Sequence, residues 1–367
     1  MADLRAGLAR LLDQRLIRHA GLSNVNRQQL DEALELVPVT AVEVSLGVHD
    51  DRALRGGVVE RCAELGIAVI AHSPLGGPRR AGGLDRRAAL GAVAHELGAT
   101  RAEVALAWLL DLSPGVIPIP GARRPETARS AARAAGLALD PGARDVLARA
   151  LGGVRPAPRE RRGRPAAGRN GEVVLVMGIP GAGKSLVASE YVARGYVRLN
   201  RDERGGALRA LADALDNELS SGIRRIILDN TYLTRATRSY VIETANRHGI
   251  PARCVWLDTP LASAQVNLVG RMLDQFGTLP APDELRALAR RHPGVLAPTS
   301  QMRTVRELER PSTYEGFIGV ETIAFVRHRS PKAEQTGVFV ATPTLQHPNW
   351  KHTVRQGDRH TPHLLFD

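Results

Sequence analysis

The sequence predicts an α/β protein with two parallel sheets, one in each of two successive domains. Short apolar runs alternate with longer amphipathic patterns over residues 1–151 and again over 171–330. This alternation is typical of parallel βα units. Residues 152–170 separate the two series and are rich in Pro, Gly and Arg without periodicity, as expected of a linker. A length of 367 residues fits two or three domains.

The first series contains four predicted strands, at 18–22, 39–46, 67–72 and 116–118. Its predicted helices are 4–14, 27–36, 55–65, 86–98, 101–111, 124–135 and 141–151. Each strand is short, the last three are rich in β-branched residues, and each is followed by a helical pattern, which favours parallel pairing with crossover helices.

The second series contains predicted strands at 172–177, 196–199, 223–228, 252–257 and 322–326. Its predicted helices are 186–193, 207–220, 234–248 and 260–273. This order predicts a parallel sheet with helices on both faces. Residues 331–367 are predicted to be a tail or the start of a truncated further module, with strands at 337–341 and 363–366.

One glycine-rich loop dominates the second domain. The run GIPGAGKS at 178–185 matches G-x-x-x-x-G-K-[ST] and stands between a predicted strand and a helix. Such a loop turns backbone N–H groups towards phosphates, and the next helix adds its positive end. The predicted nucleotide-binding residues are Gly178, Gly181, Ala182, Gly183, Lys184 and Ser185.

Two residues of this loop have predicted roles in chemistry. Lys184 would neutralise the β- and γ-phosphates of ATP, and Ser185 would hold Mg²⁺. Lys184 is the single lysine within residues 1–331, although the chain has 50 Lys and Arg in total. A compact ammonium is therefore present where the loop needs one. The alternative is a glycine-rich turn that binds nothing.

Charge and cysteine content bear on the binding partners and the cellular location of the protein. The net charge is +12, and residues 152–170 carry six Arg and one Glu, a net +5. This segment could contact phosphate backbones or could be a solvated spacer. Cys62 and Cys254 are far apart and are predicted to be core residues. No apolar run is long enough for a membrane span and no signal peptide is evident, so the sequence predicts a cytoplasmic protein.

Four stretches of the first domain resemble the aldo-keto reductases. They are IRHAGLSN (17–24), GIAVIAHSPLGG (66–77), ATRAEVALAWLL (99–110) and IPGARRPET (119–127). The family folds as a (β/α)₈ barrel, and these stretches are similar to its last four strands, which implies an incomplete (βα)₄ half of a TIM-type barrel. The resemblance implies a vestigial nicotinamide-cofactor site made of Ser23, Asn24, Ser73, Leu75, Arg123 and Arg124.

The resemblance does not extend to the family's catalytic residues. In the family, Asp, Tyr, Lys and His come from the first four strands, and residues 1–183 contain neither Tyr nor Lys. Glu43 also replaces the usual Gln at the nicotinamide. NADP is therefore a doubtful ligand and hydride transfer is not expected. The pattern would also follow from a gene start assigned too late.

Half a barrel leaves sheet edges and one sheet face uncovered, so self-association is expected. Two halves related by a two-fold axis could rebuild eight strands. The competing outcome is that helices of this chain cover the opening. Sedimentation of fragment 1–151 at several concentrations separates these outcomes, because a monomer at every concentration would mean that the face is covered from within.

The second domain resembles the kinase domain of polynucleotide kinases over about 172–326. The phosphate loop is joined by GYVRLNRDE (195–203), ILDNTY (227–232), RHGIPARCVWL (247–257) and ERPSTYEGF (309–317). The resemblance implies that Asp202 is the general base, that Arg204 contacts the acceptor phosphate with its register shifted by about one position, and that Arg271 covers the γ-phosphate. It also implies a nucleic-acid 5′-OH end as the acceptor.

The residue pattern itself supports these roles. A carboxylate after a parallel strand, one βα unit from the phosphate loop, can reach an incoming hydroxyl. Asp229 ends another strand and is predicted to meet the acceptor or a water of Mg²⁺. For Asp202 and Asp229 the alternative is helix N-capping. For Arg271 it is a solvated helix arginine.

Three other functions remain open at this level. One is a P-loop kinase that phosphorylates a small-molecule hydroxyl, and another is a module that binds ATP without turnover. The third is an NADPH-dependent oxidoreductase, which the missing Tyr and Lys argue against.

Overall fold

The computed structural model describes residues 2–77, 81–151, 171–281, 284, 285, 288 and 298–326. The predicted linker 152–170 and the tail 331–367, with its two predicted strands, lie outside the described residues. Two all-parallel sheets are present, which confirms the predicted α/β class. Within the described ranges, every helix is too short or too polar to cross a bilayer.

The first sheet has four strands in sequential order, all parallel. Its strands are β1 Ala20–Ser23, β2 Val39–Ser45, β3 Ala68–His72 and β4 Val116–Ile119. The surrounding helices are α1 Ala2–Asp13, α2 Arg27–Leu34, α3 Arg52–Arg55, α4 Val58–Leu65, α5 Ala88–Glu96, α6 Arg101–Leu112, α7 Pro125–Ala135 and α8 Pro141–Leu151. The predicted helix 55–65 is divided into α3 and α4 because Gly57 adopts a left-handed φ of +74°.

The two faces of this sheet differ in burial. Val42, Val69 and Val116 share one row of the register and are buried in the core formed with the helices. On the other face, Ile117 and Ile119 of β4 are 50% and 47% exposed. Among the described residues, β1 and β4 are also unpaired on their outer edges. An uncovered apolar face with free edges is the feature behind the expected self-association, which stays a prediction.

The second sheet has five parallel strands in the order β6-β7-β5-β8-β9. Its strands are β5 Glu172–Met177, β6 Val197–Leu199, β7 Arg225–Asp229, β8 Ala252–Asp258 and β9 Val320–Ala324. The helices are α9 Lys184–Ala193, α10 Arg201–Arg204, α11 Ala210–Ser220, α12 Arg235–Arg247, α13 Leu261–Phe276 and α14 Pro298–Glu307. Helices α10 and α14 were not predicted, and β9 begins two residues earlier than the predicted strand 322–326.

Side-chain alternation along β5 produces two cores, one on each face of this sheet. Val173, Leu175 and Met177 pack with α11 and α12, whereas Val174 and Val176 pack with α9 and α13. Because β5 is central and buried on both faces, the loop that follows it starts from a rigid position. Both cysteines are buried and free, and burial raises the pKa of Cys62 to about 11 and that of Cys254 to about 12.

The two domains touch through α3 and α12. The Tyr240 hydroxyl donates to Asp51 at 2.9 Å, and the Arg55 guanidinium lies 4.1 Å from the centre of the Tyr240 ring. Arg55 also donates to Glu243 at 2.8 Å. The first domain is therefore joined to the outer side of a helix that packs on the second sheet.

Arg238 of α12 is fully buried and joins three chain segments. Its Nε and Nη2 donate to the two oxygens of Glu315, each at 2.7 Å. Its Nη1 donates to the carbonyl oxygens of Tyr232 and Glu309, each at 3.0 Å. A buried ion pair of this kind is costly to break from one side, because the remaining charge stays in a dry environment.

We expect Arg238→Met to lower the free energy of unfolding by about 3–5 kcal/mol. Urea unfolding of the full chain measures the change. The double variant Arg238→Met/Glu315→Leu should recover part of the loss, since it removes the uncompensated carboxylate. A single-variant loss below about 1 kcal/mol, or no recovery in the double variant, would contradict this account.

Candidate active site

The phosphate loop leaves β5 at Gly178 and enters α9 at Lys184. Gly181 and Gly183 adopt φ values of +85° and +94°, which disfavour any residue with a side chain. At Gly181 a Cβ atom would also collide with the carbonyl oxygen of Ala264 on α13. Glycines occur at these positions because the backbone is in the left-handed region at both, and because Gly181 also packs closely against α13.

Three side chains hold the loop carbonyls from outside. Asn267 Nδ2 donates to the Gly181 oxygen at 2.8 Å, Gln301 Nε2 to the Pro180 oxygen at 3.1 Å, and Thr259 Oγ1 to the Ala182 oxygen at 3.3 Å. With its carbonyls bound on this side, the loop is preorganised around its N–H groups. Sequence reasoning missed all three residues. They belong to no motif, and Gln301 lies on α14, a helix that was not predicted.

Lys184 occupies the first turn of α9, beside the loop. Its Nζ donates to the carbonyl oxygens of Gly178 and Ile179, each at 3.0 Å. Burial lowers the pKa of Lys184 to about 8. Attraction from Asp229 and Asp202 raises this pKa, and repulsion from Arg271 lowers it. Three charged residues predicted for catalysis or acceptor binding thus act electrostatically on the loop lysine.

This pKa leads to a testable pH dependence of ATP binding. A bound phosphate raises the pKa of Lys184, so above pH 8 the complex keeps a proton that the free protein has lost. The affinity for ATP should therefore fall as pH rises through about 8, by up to roughly tenfold per pH unit. Equilibrium ATP binding at constant Mg²⁺ from pH 7 to 9.5 measures this.

The control for the pH dependence is Lys184→Arg, which stays charged throughout this range. Its profile should be flat even if its affinity is lower. A wild-type profile that remains flat to pH 9.5 would show that the ammonium of Lys184 does not control ATP binding.

Asp202 lies on α10, directly after β6. The N-cap of α10 is Asn200, whose Oδ1 accepts from the Asp202 N–H at 2.7 Å. The Asp202 carboxylate is exposed, and its nearest cation is Arg201 at 3.4 Å. The alternative interpretation of Asp202 as a capping residue is therefore wrong, and its carboxylate is open to solvent.

Asp229 ends β7 and is only 2% exposed. Arg198 Nε donates to its Oδ1 at 2.9 Å and Arg198 Nη2 to its Oδ2 at 2.6 Å. Asn200 Nδ2 adds a third bond to Oδ1 at 3.0 Å. Asp229 is not a helix cap either, because α12 is capped by Thr234. Sequence reasoning missed Arg198 and Asn200, although both stand beside the Asp202 motif.

Gly178 and Ala182 are buried in the loop, whereas Ser185, Arg204 and Arg271 are exposed. Ser185 follows Lys184 in the first turn of α9, and Arg271 lies on α13. Arg204 ends α10 and pairs with Glu218 of α11 at 3.1 Å. Among the described residues, no group of three or more His, Cys, Asp or Glu could hold a metal ion. A Mg²⁺ ion at this site would rely on Ser185 together with phosphate oxygens.

The predicted nicotinamide-site residues follow the strands of the first sheet. Asn24 and Ser73 adopt left-handed φ values of 52° and 55°. The His72 ring lies between them, with Nε2 at 3.1 Å from Asn24 Oδ1 and Nδ1 at 3.2 Å from Ser73 Oγ. Arg123 and Arg124 are exposed after β4. The sequence had not singled out His72, which connects the loops after β1 and β3.

The chain matches two families of known proteins. Residues 2–143 match the aldo/keto reductase family, and residues 173–292 match an AAA domain. Pyridoxine 4-dehydrogenase of Escherichia coli (strain K12) is 38% identical over 118 residues, which are 31% of this chain and 38% of that protein. A bifunctional polynucleotide phosphatase/kinase of Schizosaccharomyces pombe (strain 972 / ATCC 24843) is 34% identical over 106 residues, which are 28% of this chain and 25% of that protein.

The crystal structure of a thermostable aldo-keto reductase is also similar, with 33% identity and a TM-score of 0.35. It covers 38% of this chain, and this chain covers 51% of it. The chain thus spans about half or less of each of these relatives. It combines an aldo/keto reductase domain at residues 2–143 with a P-loop, kinase-like AAA domain at residues 173–292.

Proposed function

We propose that the chain is an ATP-dependent kinase that transfers the γ-phosphate to a nucleic-acid 5′-OH. The observation that carries this proposal is that the phosphate loop with Lys184, after β5, and the exposed carboxylate of Asp202, after β6, lie at the same edge of one parallel sheet. The similarity to a polynucleotide phosphatase/kinase supports this choice of acceptor.

The loop is chemically suited to ATP and Mg²⁺. Its left-handed glycines let the backbone approach a phosphate closely, and Lys184 is the cation beside them. Ser185 would hold Mg²⁺, which supplies further neutralisation of phosphate charge. Gly178, Ala182 and the neighbouring glycines would form the cradle.

The residues of this chain divide the remaining work. Asp202 accepts the proton of the attacking hydroxyl. Its carboxylate is exposed and is close enough to Lys184 to raise the pKa of that lysine. Arg271 on α13 neutralises charge that builds on the transferred phosphoryl group. Arg204 contributes positive charge on the side where an acceptor phosphate would lie.

Transfer of label from γ-labelled ATP to a 5′-OH oligonucleotide tests the proposal. We expect labelling of RNA or DNA ends in the presence of Mg²⁺, and no labelling of the same oligonucleotides that already carry a 5′-phosphate. Labelling of a small hydroxyl metabolite alone would replace this acceptor with a small molecule. ATP binding without transfer to any hydroxyl would favour a binding module.

The first domain is expected to lack reductase activity. Residues 1–183 contain neither Tyr nor Lys, so the family's proton donor and the lysine beside it are missing. Incubation of the full chain with NADPH and a generic aldehyde should give no loss of NADPH absorbance above the rate without protein. Turnover that disappears in Asn24→Ala, but persists in Lys184→Ala, would contradict this expectation.

A further inference from the structure

The turn that carries Asp202 is tied to the end of β7 by a dense set of hydrogen bonds. Asn200 Nδ2 donates to the Asp229 carbonyl oxygen at 2.8 Å, and the Arg201 N–H donates to Asn230 Oδ1 at 3.1 Å. Arg198 connects the two segments by bonding both Asp229 and Glu203, the latter at 2.7 Å. The position of Asp202 therefore depends on contacts made by its neighbours.

The Asp229 carboxylate has little capacity left for another ligand. Two parallel N–H bonds from Arg198 engage both oxygens in the bidentate geometry that is strongest for this pair. Asn200 occupies a third acceptor position, and the carboxylate is almost wholly buried. A metal-bound water would have to displace a charge-assisted bond from a dry site, which is unfavourable.

We propose that Arg198 and Asp229 form a positioning pair that holds Asn200, and through Asn200 the turn that carries Asp202. This inference rests on the proposed kinase function and changes one role within it. Asp229 acts through Arg198 and Asn200 and does not contact Mg²⁺ or the acceptor. Arg198, which lies on β6 opposite Ile227 of β7, becomes a residue on which the rate depends without touching substrate.

The first test measures the turn without using turnover. In Arg198→Met and in Asp229→Asn, amide hydrogen exchange at Asp202 should accelerate by at least about tenfold, because its acceptor Asn200 is then held less firmly, mainly through the Asp229 carbonyl oxygen. Equilibrium binding of Mg²⁺·ATP, measured at about pH 6.5 so that Lys184 stays protonated, should change by less than about threefold. Unchanged exchange at Asp202 would overturn the proposal whether or not the wild type transfers phosphate.

The second test uses transfer to a hydroxyl acceptor. Each variant should lower kcat roughly 10–100-fold with little change in the KM for ATP, and the double variant should be no worse than the poorer single variant, because the pair acts as a unit. A tenfold or larger rise in the Mg²⁺ concentration needed for half-maximal rate in Asp229→Asn would instead make Asp229 a metal-linked residue and overturn the proposal.

The matched control is Arg253→Met. Arg253 is also a strand arginine paired with a carboxylate, Glu172 at 3.3 Å, but it lies on β8, three strands away from β6 across the sheet. It should alter neither the exchange at Asp202 nor kcat. An equal effect in this control would mean that Arg198 acts only through general stability.

A wild type without transfer to any hydroxyl would refute the kinase function, while the exchange measurement would still decide the role of the pair.

Discussion

Lys184→Ala should abolish phosphoryl transfer, with a loss of at least about 10³-fold, and leave the fold intact. The expected loss is large because the ammonium neutralises charge that grows as the phosphoryl group moves. The fold should survive because burial already disfavours the charged form of this side chain, as its lowered pKa indicates. Initial rates with labelled ATP and a thermal melt of the same preparation measure both effects.

The control for this variant is Arg194→Ala. Arg194 follows the end of α9, and its guanidinium stacks on the Tyr191 ring at 3.9 Å. The substitution therefore removes a cation from the other end of the helix that begins at Lys184, and it leaves the phosphate loop unchanged. Its transfer rate should stay close to that of the wild type. A Lys184→Ala protein that melts like the wild type and keeps most of its rate would show that the loop does not act in catalysis.

Asp202→Asn should cut kcat by roughly 10²–10⁴-fold while ATP binding stays nearly unchanged. The amide keeps the size of the side chain but cannot accept the hydroxyl proton, and that proton leaves only on the way to the transition state. The backbone of the turn should be undisturbed, because Asp202 takes part in the capping bond through its N–H and not through its carboxylate. Steady-state rates against ATP and acceptor concentration separate kcat from KM.

Asp216→Asn is the matched control for Asp202→Asn. Asp216 lies on α11 and bonds His248 at 2.9 Å, outside the predicted site. This change should leave kcat within about twofold of the wild type, because the half-buried Asp216–His248 pair makes no contact with the proposed site residues. If Asp202→Asn instead raised the KM for ATP with kcat preserved, Asp202 would be a nucleotide contact.

The local sequence was sufficient to predict the strands and helices of both domains and the position of the phosphate loop. Strands such as 172–177 and 67–72 are contiguous apolar runs, and their observed bounds differ from the predicted ones by no more than a residue. The loop motif specifies its own chemistry, because left-handed glycines and a following helix need only short-range contacts. The missing Tyr and Lys of the first domain are likewise visible in the sequence alone.

The supporting residues could not be predicted in this way. Gln301 reaches Pro180 across 121 positions, and Arg198 meets Asp229 across 31. Helix α14 is polar and lacks a strong apolar stripe, so its sequence carries a weak helical signal. From the sequence, Arg238 would be predicted to be a surface arginine, like most arginines of this chain, but it is completely buried.

The sequence by itself determined the parallel βα order, the phosphate loop with Lys184, and the absence of Tyr and Lys from residues 1–183. Only the tertiary structure decided that the Asp229 carboxylate is bound by Arg198 and Asn200. The physical reason is that strand–helix order and loop conformation depend on neighbouring residues, whereas the partner of a carboxylate depends on which strands lie side by side. Pairing of β6 with β7 brought Arg198 to Asp229, and nothing local to either residue specifies that pairing.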